Sequence, residues 1–191
     1  MISSEEVLNR WIPYRLQAIA TLQFAWGLLN EAPDARMLEV LVNGRLRLTG
    51  NVATIANPMI EAGFVHARAL LEFLGLCATD GTLMQVKRRR RDDIAIETFS
   101  NAQGPLCLVH PDEAVAAYLG PNADAEAALV SIFELANKGL AHVTGGAYSQ
   151  IWTDEHLDVA CRGIPVLLYN HLYVKLGRRM PTAPERLLGG G

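Results

Sequence analysis

The sequence predicts an all-α protein, an up-down helical bundle of five or six helices. Three observations carry that prediction. Apolar residues recur at helical spacing in each long segment. Capping residues stand where these segments start, and glycine or proline stands where they stop. The alternation of a half-buried strand is absent apart from the short run LCLV at 106–109.

Taken in order, Ser3 and Glu6 fit a capping box that opens a helix over 4–30, with Ile12, Leu16, Ile19 and Trp26 on its apolar side. Pro13 removes one hydrogen bond inside it and predicts a kink or a short separate first turn. After the turn Glu31–Pro33, Asp34 caps a second predicted helix over 34–56, carrying Met37, Leu41, Gly44, Leu48, Val52 and Ile55 on one stripe. Asn57 followed by Pro58 marks a restart, with proline at the first helical position. The helix it opens, 58–76, is apolar on two sides, which suits the centre of a bundle. Residues 78–109 break the pattern with TDGT, KRRRRDD and NAQGP, so they read as a charged insertion that either holds a short helix near 83–91 or is a mobile functional segment. Pro111 starts a helix over 111–119, and Asn122 caps a long one over 123–143 that Gly145 and Gly146 stop. Thr153 caps the last, 154–177, which Pro165 should bend. The tail from about 178 to 191 is rich in proline and glycine and is expected to be loose.

The chain has 191 residues, half of them hydrophobic, so one domain can bury roughly two thirds of its unfolded surface without metal or disulfide. Cys77, Cys107 and Cys161 are odd in number and in no paired motif, which argues against a disulfide framework or a zinc site. The start MISSEEVLNRW does not read as a signal peptide, and no apolar run reaches the roughly 18 residues of a membrane span. A cytoplasmic setting with no membrane partner is the expectation. The net charge of −3 leaves nucleic-acid binding to a local patch.

Polar residues on the 123–143 helix suggest where chemistry could sit. Lys138 and His142 are one turn apart and face away from the main apolar stripe, and Asn137 lies at its border. A histidinium at a helix end is stabilised by the unpaired carbonyls there, so His142 also reads simply as a solvated residue that finishes a helix. His66 lies on the second apolar stripe of the central helix. It is either a satisfied core histidine or a second catalytic imidazole. Arg68 and Glu72 read as an intrahelical ion pair. Lys87, Arg88, Arg89, Arg90 and Arg91 form a cationic run that can hold phosphates or clamp an acidic partner, and no aromatic is interleaved for base stacking. No histidine pair has HxxH or HxxxH spacing and no phosphate-cradling loop follows a strand, so neither metal nor cofactor is expected.

A bundle whose penultimate long helix carries a polar residue and then a histidine near its end resembles the HEPN superfamily. In that family an arginine, four to six residues and a histidine form the active site of metal-independent ribonucleases, usually on dimers. The matching positions here are Asn137, four residues and His142, with Lys138 beside the arginine position, and no arginine stands four to six residues before any of the five histidines. The resemblance implies RNA as substrate or partner. It assigns His142 as base, Lys138 as the cation opposing phosphorane charge, Asn137 as an orienting group and Lys87 to Arg91 as the substrate-holding patch. It also implies a homodimer, which the two-sided central helix independently suggests. The rival reading is a non-catalytic interaction or scaffold module whose run 87–91 docks an acidic protein.

Overall fold

A computed structural model describes residues 2–30, 37–140 and 153–182, with the backbone alone at 138–140. Helices dominate, but three separate antiparallel hairpins interrupt them, so the fold is mixed α/β and the all-α expectation is overturned.

The first helical rod opens with α1 (Ser4–Glu6), where the Ser3 hydroxyl accepts from the Glu6 N–H at 3.1 Å. It passes through a π turn (Val7–Trp11) into α2 (Ile12–Asn30). Pro13 lies at the junction, and the wider turn is how the helix absorbs its missing donor.

The predicted second helix over 34–56 is overturned across residues 37–51, which form a hairpin of β1 (Met37–Val42) and β2 (Arg45–Asn51). Asn43 and Gly44 have φ of 52° and 73°, the left-handed pair of a type I′ turn, whose twist matches that of the flanking strands. Met37, Leu41 and Leu48 sit at helical spacing, yet the ladder sets Leu48 opposite Val40, on the other face of the hairpin from Met37 and Leu41. The turn chemistry decides for the hairpin.

Helix α3 (Ala53–Leu74) therefore starts earlier than predicted, with the Asn51 side chain accepting from the Ala53 N–H at 2.8 Å and Pro58 inside the helix. Its buried face comprises Ile60, Phe64, Ala67, Leu71 and Leu74. Gly63 permits close approach to α2, because a Cβ there would lie 2.3 Å from that of Leu22. Gly75, at φ 102°, ends the helix in the left-handed conformation.

The charged insertion holds more strand than helix. Where a helix was predicted near 83–91, β3 (Leu76–Thr79) pairs with β4 (Thr82–Gln85) around Asp80 and Gly81, whose φ values are 51° and 76°. A smaller hairpin joins β5 (Ser100–Asn101) to β6 (Gly104–Pro105). Residues 106–109 form no strand, although the Val109 N–H donates to the Leu74 carbonyl at 2.9 Å. Then follow α4 (Pro111–Ala116), α5 (Asn122–Glu134) with a π turn (Leu135–Leu140), and α6 (Asp154–Leu168) with a π turn (Tyr169–Tyr173). The Thr153 hydroxyl accepts from the His156 N–H at 3.2 Å, as a cap should.

One continuous core joins the π turn at Val7, α2, α3, α5 and α6 with Leu76, Leu83, Ile96 and Phe99 from the hairpin region. The β3–β4 hairpin and the segment through Phe99 thus close over a helical centre, and the β1–β2 hairpin stands outside it. Among the described residues no helix is long and apolar enough to cross a membrane.

Candidate functional site

Asn137 lies exposed in the π turn that follows α5, and its side-chain oxygen accepts from Nη1 of Arg68. Lys138 belongs to the same turn. Its side chain and the whole of His142 lie outside the described residues, so the proposed trio is placed only at Asn137. Arg68 in turn donates through Nε to Glu72 at 2.9 Å, the i,i+4 ion pair read from the sequence. One guanidinium thereby ties α3 to the end of α5. It supplies, from 69 residues away, a cation beside Asn137, the position where this chain lacks an arginine. Sequence spacing carries no signal for that contact.

His66 faces α2. Nη1 of Arg15 lies 2.9 Å from its Nδ1, and Tyr14 packs edge-on against the ring at 5.2 Å between centroids. Arginine has only donors, so Nδ1 is the acceptor and the neutral ring carries its proton on Nε2. Burial pushes the His66 pKa down, and the neighbouring Arg15 charge pushes it further the same way. Burial likewise lowers the pKa of Arg15. This arrangement suits neither catalytic role. The Nδ1 lone pair is occupied, and the protonated form that an acid needs is disfavoured. Beside it opens a cavity of about 290 Å³ whose lining includes Tyr14, Gln17, Thr21, Met59 and His66. The Thr21 hydroxyl is engaged, donating to the Gln17 carbonyl at 2.6 Å.

The basic run follows β4 and is pinned at both ends. On one side the Val86 N–H donates to the Gly75 carbonyl at 2.8 Å. On the other, the Asp93 carboxylate accepts from the Arg90 N–H at 3.0 Å, and Ala95 and Ile96 are buried just beyond. Arg89 turns inward, its side chain 16% exposed, and meets Glu97 at 3.3 Å. That pairing is ionic and lacks hydrogen-bond geometry, for Nε and Nη2 of Arg89 are buried without a hydrogen-bond partner among the described residues. Lys87, Arg88, Arg90 and Arg91 point the other way. All four are exposed, and none pairs with a described carboxylate. The sequence run of five is therefore a display of four held by one inward anchor.

The three cysteines are unpaired. Burial, with Asp158 nearby, pushes the Cys161 thiol up to about 12, which removes it as a nucleophile. Burial and then Glu72 also raise the Cys77 thiol, against a smaller opposing effect of Lys87.

A second cavity, of about 250 Å³, opens between α4, α5 and α6, walled mainly by apolar residues such as Leu129, Val159 and Leu167 with Arg162 at its edge. Arg162 is paired with Asp158, one turn away on the same helix. No protein-family model, no curated protein and no solved structure matches the chain.

Proposed function

We propose that this protein is a non-catalytic interaction module that docks an acidic surface of a partner protein through Lys87, Arg88, Arg90 and Arg91. The observation carrying this reading is the anchored display itself. A segment fixed at both ends holds four cations outward, so less side-chain and loop ordering has to be supplied on binding than for a free basic tail. The absence of interleaved aromatics favours an acidic protein over single-stranded bases. The engaged state of Asn137 and His66 supports a binding role over catalysis. A cytoplasmic setting, where thiols stay reduced, suits the three free cysteines.

One observation favours a second, HEPN-like RNA-directed reading. Arg68 places a guanidinium beside Asn137, near the start of the stretch that leads to His142.

A single experiment separates them. Fluorescence anisotropy is measured with a labelled oligoglutamate peptide and with labelled oligouridylate, for the wild type and for a variant carrying K87E, R88E, R90E and R91E. The docking reading expects peptide binding that weakens with salt and is lost in the variant. Equal peptide binding by both proteins, or none by the wild type, overturns it. Metal-independent RNA cleavage that His142→Ala abolishes would instead establish the second reading.

A further inference from the structure

The hairpin of β1 and β2 is exposed along most of its length. Met37, Leu41 and Leu46 are 74%, 58% and 55% exposed, and Val42 and Leu48 are also open. An isolated two-stranded hairpin is marginal in water, and its free edges are templates for pairing. The two edges differ. Strand β2 carries Arg45 and Arg47 and runs on into α3. Strand β1 has one charge, Glu39, among the five apolar residues of its sequence MLEVLV. Charged residues guard the β2 edge, and the β1 edge pairs with no other strand among the described residues.

We propose that the β1 edge pairs antiparallel with β1 of a second copy of this chain, giving a closed four-stranded sheet in the order β2, β1, β1, β2. Hydrogen-bond alternation limits the registers. The closing pair of a two-residue hairpin, here Val42 and Arg45, is hydrogen-bonded. The N–H and C=O groups of Leu41 and Glu39 therefore point away from β2, onto the free edge. The irregularity in the ladder leaves this alternation intact, because its extra residue, Arg47, belongs to β2.

A two-fold axis in an antiparallel pair must set one residue opposite itself, since neighbouring residues point their main-chain groups to opposite sides. An axis at Glu39 would place two carboxylates face to face, which is destabilising. An axis at Val40 avoids this. Val40 then faces Val40 of the second copy, Leu38 faces Val42, and Glu39 exchanges main-chain hydrogen bonds with Leu41. Every directly opposed pair contains an apolar residue and none contains two charges. Pairing β1 of one copy to β2 of the next would be heterologous and open-ended, and it would bring Arg45 and Arg47 into the seam. The second copy through β1 is thus the occupant that closes the edge, by the main-chain pairing of strand addition. This inference stands independently of the basic run.

Sedimentation equilibrium across a concentration series tests it, together with cysteine cross-linking in a Cys107→Ser background that removes the exposed native thiol. The expected result is a monomer–dimer equilibrium shifted to monomer by Leu41→Glu, which sets a second carboxylate opposite Glu39 of the other copy, while the side chain is exposed within one copy, so the fold survives. Val40→Cys should form a disulfide-linked dimer on oxidation. Glu39→Cys, opposite Leu41, should cross-link far less. A wild type that stays monomeric overturns the proposal. So does a dimer that Leu41→Glu leaves intact, or equal cross-linking by the two cysteine variants.

Discussion

The Tyr173 hydroxyl donates to the Leu8 carbonyl oxygen at 2.6 Å, joining the last helical turn to the first. Its cause is legible in the backbone. In the π turn the Ile12 N–H is taken by the Val7 carbonyl, and the donor five residues after Leu8 is Pro13, which has no N–H. The phenol supplies what the proline cannot. Burial pushes the Tyr173 pKa up, so the hydroxyl keeps its proton and remains a donor.

Tyr173→Phe should leave that buried carbonyl unsatisfied at a cost of about 1–3 kcal/mol. For a chain of this size the melting temperature would fall by about 2–4 °C per kcal/mol. Thermal denaturation followed by circular dichroism measures it, and an unchanged midpoint would remove the bond from any account of stability.

Gly63→Ala should destabilise by about 1–3 kcal/mol through overpacking, although alanine is the better helix former. The added methyl would meet the Cβ and Cδ1 of Leu22 at 2.3 and 2.7 Å. Leu22→Gly loses packing of its own, yet in combination with Gly63→Ala the losses should be less than additive, because removing the Cβ of residue 22 opens the space that the added methyl needs. Chemical denaturation of the four proteins gives the coupling energy. Strict additivity would contradict the contact.

Acidification should destabilise the fold in part through His66. Its folded pKa lies below the unfolded value, so the unfolded chain binds the proton more readily. The contribution is complete above about pH 6.5 and is lost as the pH falls from there through the folded pKa. His171, lowered chiefly by its own burial, acts in the same sense. His66→Gln keeps an acceptor for Arg15 and cannot titrate, so melting temperature plotted against pH from about 7.5 to about 5 should slope less steeply than in the wild type. Parallel slopes would assign the acid sensitivity elsewhere.

Local chemistry alone determines the first rod over 4–30, the caps at Ser3 and Thr153, and the Arg68–Glu72 pair, because each is an interaction within about one helical turn. The hairpins were also written locally, in Asn43-Gly44 and Asp80-Gly81. The first was hidden because Met37, Leu41 and Leu48 fit a helical stripe, while the nearly continuous apolar run MLEVLV shows no strand alternation. Reading the left-handed turn pairs before the periodicity reveals it. The tertiary structure decided what lies across the chain. It placed Arg15 on His66 and Arg68 on Asn137, turned Arg89 inward to Glu97, and left the β1 edge without a strand partner among the described residues. The physical reason is separation. A contact between side chains 51 or 69 residues apart depends on how whole elements pack, and no local spacing encodes it.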